Sequence, residues 1–530
     1  MQTMFISFFL LLVIAAAVSV YTTRKQSKTS VGHYLGSRSL NFWMVGCSLF
    51  LTNMSANQFV GENEFVYTNN MTVMCWGMSS ILAMIIVSEF LMPVYLRIGA
   101  MTTPDFLGMR FDKQTQRLVS IIFLLSYAIN LVPAVLYGCA VAMNGIFQLD
   151  LLLGLDYFTT IRLLVAFIGG TGCLYAVLGG LKAITINDIV QGIGMVIGGI
   201  LITWIGLKFL GDGSLTTGVE KLLGNNPEHL NAIGKPGAAI PFGTLFTGML
   251  LINIYYWGME QYIVQQSLAA RNLAESQKGI TLAGVGKLFA PILLNVPGLI
   301  ALQLYPGMEN TTEVFPKMIT GTLPPIITGL IAAIVFGGAL STFNAGLNSI
   351  GTLFTMNLYK PWLEKRNYVI NDQKLVRKGR LVQVAVTLIA VIFSPYIMFF
   401  SGGFYSYLQK AASYFSVPVF TIMVIGLVTR RVPAVAAKAG LFFFVTAYII
   451  TQLVIDTGLH YLHVLALLFV ATSLLMLLIG RCVPREQSFT IQNHAKVNLT
   501  PWKQRYIYYI VLIALMTGMF FLFSPLGIAQ

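Results

Sequence analysis

The sequence predicts an all-α, polytopic membrane protein of about fourteen transmembrane helices, each long enough to cross roughly 30 Å of hydrocarbon. Three observations carry this. The chain is 56% apolar and only 10% charged, against about 25% charged in soluble domains. Apolar runs of spanning length recur from one terminus to the other. Lysines and arginines alternate between abundant and scarce from loop to loop.

Taken in order, the runs place helices at 4–21, 41–62, 72–96, 119–145, 160–178, 187–207, 240–264, 281–304, 325–356, 381–400, 403–428, 439–455, 461–480 and 506–524. The first has no cationic segment before it, and Arg24, Lys25 and Lys28 follow it. It therefore reads as an uncleaved helix with its N-terminus outside. The inner loops of that topology hold 26 of the 33 basic residues, and the outer loops hold Lys208, Lys221, Lys235 and Lys317. Arg162, Lys287 and Lys410 lie within or at the ends of helices. This is the positive-inside pattern. It implies a plasma (inner) membrane protein with both termini extracytoplasmic, and it accounts for the net charge of +14 without nucleic acid.

The remaining polar sequence excludes several classes of function. The longest hydrophilic stretches, 208–239, 357–380 and 481–505, are too short for a catalytic domain. Gly284-Val285-Gly286-Lys287 lacks the phosphate-loop spacing and the following Ser or Thr, so an ATP-driven pump is not indicated. The five cysteines and five histidines show no metal-ligand spacing. No continuous polar stripe suggests a channel, and no nucleophile–base pair suggests an enzyme. A transport-like sensor without flux has the same sequence signature as a carrier.

Two helices break the apolar pattern in corresponding places. The second carries Thr52-Asn53-Met54-Ser55-Ala56-Asn57-Gln58 before Gly61, and the seventh carries Asn253 to Gln261 around Gly258. Polar runs beside glycine are where a membrane helix can unwind and offer backbone groups to a ligand. A unit of five helices leaves the membrane on the side opposite its entry, so a repeat at that spacing must be inverted. This points to a LeuT-type fold, with helices 2–6 and 7–11 as the two halves. The divisions are 1–40 (first helix and loop), 41–208 (first repeat), 209–239 (outer loop), 240–428 (second repeat) and 429–530 (three further helices).

Single residues read less sharply. Polar side chains in a bundle also serve as interhelical glue. Lys287, near the expected inner end of its helix, could snorkel. Asp188, at the expected start of the sixth helix, could be a cap. Ser341 and Thr342 beside Gly337-Gly338 could ligate a small cation or bond back to their own helix.

Four stretches resemble the solute:sodium symporter family, in its sodium/glucose cotransporter branch. They are Asn53–Gly61, Thr103-Pro104-Asp105-Phe106-Leu107 with Arg110-Phe111, Trp257–Gly279, and Ser341–Lys360. The resemblance implies a Na⁺ site built from the carbonyls of Leu51, Met54 and Gly338 and the hydroxyls of Ser341 and Thr342. Asp188 falls on the implied sodium exit path. It implies a sugar site at Gln58, Ser80, Asn253, Lys287 and Gln409, to which the first polar cluster adds Asn53. Tyr256 matches the inner gate, and Glu62, Trp76 and Tyr405 match an outer gate that is apolar in the branch. A sugar-binding Glu of the branch falls at Gly77, and Asn344 replaces the hydroxyl that accompanies a second sodium.

The expected activity is sodium-coupled import of a small organic solute by alternating access, with one Na⁺ per cycle. A sugar or sugar derivative is the main expectation, and an acidic sugar or other carboxylate the alternative. A cysteine placed at Gly213 should react with an impermeant thiol reagent added outside intact cells, and one at Asn371 should not. The opposite pattern would refute the orientation.

Overall fold

The computed structural model describes residues 1–23, 29–400, 404–455 and 457–529. The chain begins with α1 (Gln2–Thr23) and the interrupted pair α2 (Phe42–Asn53) and α3 (Ala56–Thr68). Next come α4 (Met71–Arg97), α5 (Lys113–Phe147) and α6 (Tyr157–Leu210). A second interrupted pair, α7 (Gly248–Gly258) and α8 (Gln261–Leu268), follows the long loop. The remainder is α9 (Leu273–Leu304), α10 (Pro325–Lys365), α11 (Asp372–Phe399), α12 (Phe404–Val428), α13 (Ala434–Leu453), α14 (Tyr461–Cys482) and α15 (Arg505–Leu522).

The expectation of about fourteen transmembrane helices is corrected. Eleven helical segments among the described residues, two of them within α6, are long and apolar enough to cross a membrane. The expected spans 41–62 and 240–264 are each split in two, and the described apolar part of the first, Gln2–Ala15, is short. Spans 160–178 and 187–207 join in one helical run, α6. Within it the Tyr175 hydroxyl donates to the Ala183 carbonyl at 3.0 Å. Eight residues of straight helix rise about 12 Å, so the run bends between them.

Polar caps start these helices where the apolar runs alone give no boundary. Asn41 accepts from Met44 N at the head of α2, Asp112 from Thr115 N at α5, Asp156 from Thr159 N at α6 and Asn272 from Glu275 N at α9. Because lipid is as apolar as the side chains, helix association rests on close packing. α9 packs on α2 and α4, α6 on α10 and α2, and α7 on α4 and α12. At the α2–α9 crossing, a Cβ on Gly46 would sit 2.7 Å from the Leu282 side chain, and one on Gly279 would sit 2.6 Å from Val45. Nothing larger than glycine fits there.

One end of the bundle carries a strap, residues 483–504, between α14 and α15. Arg485 N donates to Arg431 O (2.8 Å), Phe489 N to Arg430 O (3.0 Å) and His494 N to Arg97 O (2.7 Å). Leu273 N donates to Asn498 O (3.0 Å), and Trp502 N to the Gln277 side chain (2.8 Å). At the opposite end, Ala232 of the long loop donates to Phe523 O, just past α15 (2.8 Å). The two ends therefore gather the segments that the charge alternation assigns to opposite sides.

Arg110, fully buried at the strap end, closes the C-terminus of α12. It donates to Gly426 O (2.9 Å), Val432 O (3.0 Å) and Thr429 O (3.1 Å). Arg110→Met should strand these carbonyls and cost on the order of 3 kcal/mol. This is readable as a lowered melting temperature in detergent, whereas Thr429→Val should cost far less. Equal melting of Arg110→Met and wild type would refute this anchoring role.

Candidate functional site

The site begins at the two interruptions. α2 ends at Asn53; Met54 leaves helical geometry (φ −88°, ψ 72°), and Ser55 restarts the chain as the cap of α3 by accepting from Asn57 N. The α7–α8 interruption falls at Met259 and Glu260. In hydrocarbon, the carbonyls released by such breaks need other partners. Around the first break α10 supplies them. The Thr342 hydroxyl donates to Thr52 O (2.7 Å) and to its own helix at Gly338 O (3.2 Å), and Ser341 Oγ lies 3.2 Å from Thr52 Oγ1. A Cβ on Gly338 would come within 3.1 Å of Met54 O, so glycine there lets the two backbones meet.

Of the oxygens expected to hold sodium, those of Met54, Gly338, Ser341 and Thr342 are thus brought near one another from two helices. Carbonyls freed by the break and two alcohol hydroxyls form a hard, neutral donor set suited to a small monovalent cation. Asp188 lies beside them, fully buried, with Ser48 donating to its carboxylate and Ser341 adjacent. It sits well inside α6 rather than at a helix start, so it is not the cap its sequence position allowed.

Next to this donor set is a cavity of about 180 Å³. Gln58, Ser80, Asn253, Lys287, Gln409 and Asn53 all line it, as do Tyr256, Trp76 and Thr342. The Tyr405 side chain lies outside the described residues. Lys287 does not snorkel: α9 starts at Leu273, which puts Lys287 in mid-helix, 4% exposed. Asn253 donates to Ser79 Oγ (2.8 Å) and Asn53 to Tyr256 Oη (2.9 Å). Ser80 bonds back to Gly77 O (2.6 Å). The side-chain oxygens of Asn53, Asn57, Gln58 and Asn130 are buried without a hydrogen-bond partner.

Sequence reasoning assigned no role to several of the lining residues. Glu260 restarts the chain after the second break, is 9% exposed and accepts from Tyr127 Oη at 2.5 Å. The same hydroxyl receives Gln261 N (3.0 Å), tying α8 to α5. Asn130 reaches the cavity because a π-helical turn, Tyr127–Leu131, shifts the face of α5. Glu62 appeared only as a change in the outer gate, yet it lines the cavity with Lys287. An acid two residues after the glycine of a polar break was the signal that could have found Glu260; no signal marked Asn130.

Access differs at the two ends. A second cavity, lined by Phe65, Ala239, Lys410 and His460, shares Trp76 and Gln409 with the first and leads toward the long loop. Toward the strap, Gln265 Nε2 donates to Tyr34 O (2.7 Å) and Thr352 Oγ1 (2.8 Å), and Ser349 donates to Gln265 Oε1 (2.7 Å). Asn348 donates to Tyr34 O as well (3.2 Å). Hydrogen bonds close that side.

Comparison with known proteins agrees with this arrangement. The Sodium:solute symporter family profile matches residues 33–443. The uncharacterized symporter YidK of Escherichia coli (strain K12) is 37% identical over 507 residues, covering 95% of this chain and 88% of YidK. A sodium/glucose cotransporter of Vibrio parahaemolyticus is 29% identical over 444 residues, 78% of each chain. Among solved structures, a Na⁺-coupled sialic acid symporter in a substrate-bound outward-open state superposes with a TM-score of 0.75 at 19% identity. The match covers 91% of this chain and 97% of that one. Mhp1, a nucleobase-cation-symport-1 family transporter, superposes at 0.57 with 14% identity, over 89% and 97% of the two chains. With a helical bundle interrupted twice at its centre, this chain belongs to the sodium:solute symporter family, whose members couple sodium to the movement of a small organic solute.

Proposed function

We propose that the protein imports a sugar or sugar derivative together with Na⁺, as a transporter of the sodium/glucose cotransporter branch. The observation that carries the substrate reading is the set of four buried, partnerless amide oxygens on Asn53, Asn57, Gln58 and Asn130, all in residues lining the cavity. Each is an acceptor waiting for a donor. A polyhydroxylated solute presents several donors at once, and Lys287 and Gln409 donate in return.

In this reading Na⁺ is held by the carbonyls of Leu51, Met54 and Gly338 and the hydroxyls of Ser341 and Thr342. Asp188 receives the ion on its way inward. One ion per cycle is favoured by Asn344, which stands where a further hydroxyl would serve a second. The interrupted pairs α2–α3 and α7–α8 each cross as one discontinuous span, which together with α1 makes fourteen crossings, and each pair opens one of two inverted repeats, 41–208 and 240–428. The strap end is cytoplasmic and both termini lie outside. Trp76 and Tyr405 gate the outer side and Tyr256 the inner side. Inward charge movement at 100 mV supplies about 2.3 kcal/mol per ion.

A second reading is sodium symport of an acidic sugar. Two observations favour it: Gly77 brings no carboxylate to the wall beside Ser80, and the well-superposing solved structure is a sialic acid symporter. The buried Glu62 facing Lys287 favours the neutral solute.

Ser341→Ala and Thr342→Ala should each raise the sodium concentration for half-maximal uptake at least several-fold, at near-normal expression and melting temperature. Unchanged sodium dependence in both would remove them from the ion site. Counterflow of labelled sugar in proteoliposomes should occur with Na⁺ and not with K⁺; binding without counterflow would identify a sensor instead.

A further inference from the structure

Two opposite charges line the central cavity without touching. Glu62 lies on α3 one turn beyond Gln58 and is 6% exposed; Lys287 lies in the middle of α9 and is 4% exposed. Both line the same cavity, yet the ion pairs among the described residues all lie elsewhere. A buried carboxylate and a buried ammonium in one small space attract strongly. Leaving them apart is costly unless polar groups fill the gap.

The wall next to α9 has room at Gly77. A Cβ built on Gly77 would meet only the Ala290 Cβ, at 4.0 Å, and Ala290 is one turn beyond Lys287 on α9. The cavity thus has an acceptor pole on α3, a donor pole on α9 and free space over Gly77 on α4. Its shape and polarity match a neutral solute whose hydroxyls donate on one side and accept on the other. A carboxylate-bearing solute drawn to Lys287 would place its charge near Glu62 in a site largely stripped of water.

We propose that Glu62 is a specificity-determining residue that accepts hydrogen bonds from hydroxyls of a neutral sugar, Lys287 donates to the same sugar, and the sugar fills the space over Gly77. This rests on the sugar-transport reading above and goes further by naming the carboxylate and the charge class of the substrate. The acceptor comes from the interrupted helix itself, so substrate binding bears directly on the segment that also contributes to the ion site.

The test is sodium-driven uptake into proteoliposomes of labelled neutral hexoses, pentoses and polyols, with D-glucuronate and N-acetylneuraminate as the acidic arm. Glu62→Gln preserves size and should raise the half-saturating concentration of the preferred neutral sugar at least tenfold, with sodium half-saturation within about twofold. The double variant Glu62→Gly with Gly77→Glu moves the carboxylate across the same cavity and should recover most of that loss. Sodium-dependent thermal stabilisation in detergent shows that each variant is folded. Unchanged neutral-sugar affinity in Glu62→Gln overturns the proposal and leaves sugar transport standing. So does a folded double variant that recovers nothing. Wild type that takes up the acidic arm, with uptake improved in Glu62→Gln, assigns the opposite charge class. No sodium-driven uptake of either arm by wild type overturns the sugar reading and this proposal with it.

Discussion

In a hydrocarbon environment a backbone carbonyl or amide has no water to turn to, so every interruption of a membrane helix must be met by another group. The break at Met54 and Ser55 is met by α10, whose Thr342 hydroxyl donates to Thr52 O. The break at Met259 and Glu260 is met by α5, whose Tyr127 hydroxyl contacts both the Glu260 carboxylate and Gln261 N. Much else in the site follows from these two obligations. They fix α10 against the first interrupted pair and α5 against the second, and the space left between the pairs is the cavity. Glycine at 338 is part of the same constraint, because a side chain there would hold α10 away from Met54 O.

The charges around the cavity are expensive to bury and are placed accordingly. Glu260 is stabilised by a phenolic donor, and Asp188 by Ser48. Glu62, with Asn295 beside it, lines the cavity together with Lys287, where their mutual field is strong and only weakly screened. A solute that bridges them replaces water with directed hydrogen bonds. The proposed ion and solute sites are then mechanically continuous: Thr52 and Thr342 border both the carbonyl cluster and the cavity. Ordering one favours the other through a shared piece of unwound chain, which is the physical form that coupling takes in a fold of this kind.

The closed side is built differently from the open one. Toward the long loop, two cavities meet at Trp76 and Gln409. Toward the strap, Gln265, Tyr34, Ser349 and Thr352 form a hydrogen-bonded plug, and residues 483–504 span that face through several backbone hydrogen bonds. Such bonds are individually modest, so the plug can be exchanged for another set when the access side changes without unfolding any helix.

Much of this was legible in the sequence. Composition, span length and the alternation of basic residues determined a polytopic helical membrane protein. Two dense polar clusters marked both interruptions to within a residue or two, because polar groups crowded beside glycine are costly in hydrocarbon unless the helix opens there. Tertiary structure decided the rest. Lys287 looked like a residue near a helix end because the polar first turns of α9 resemble a loop; Asn272 caps them and Glu275 accepts from Phe42 N (2.8 Å), so the helix starts about two turns earlier. Asp188 looked like a cap until α6 proved continuous through it. Asn130 carried no local signal, since a π-helical turn decides which face of α5 it occupies. Glu62 could be counted in the sequence, but whether its charge meets Lys287, lipid or solute depends on how α3 and α9 pack. Local pattern specifies which segments enter the membrane and where they break, because those depend on hydrophobicity and backbone satisfaction along the chain. Which side chains share a cavity depends on helix rotation and crossing, and only the packed bundle determines that.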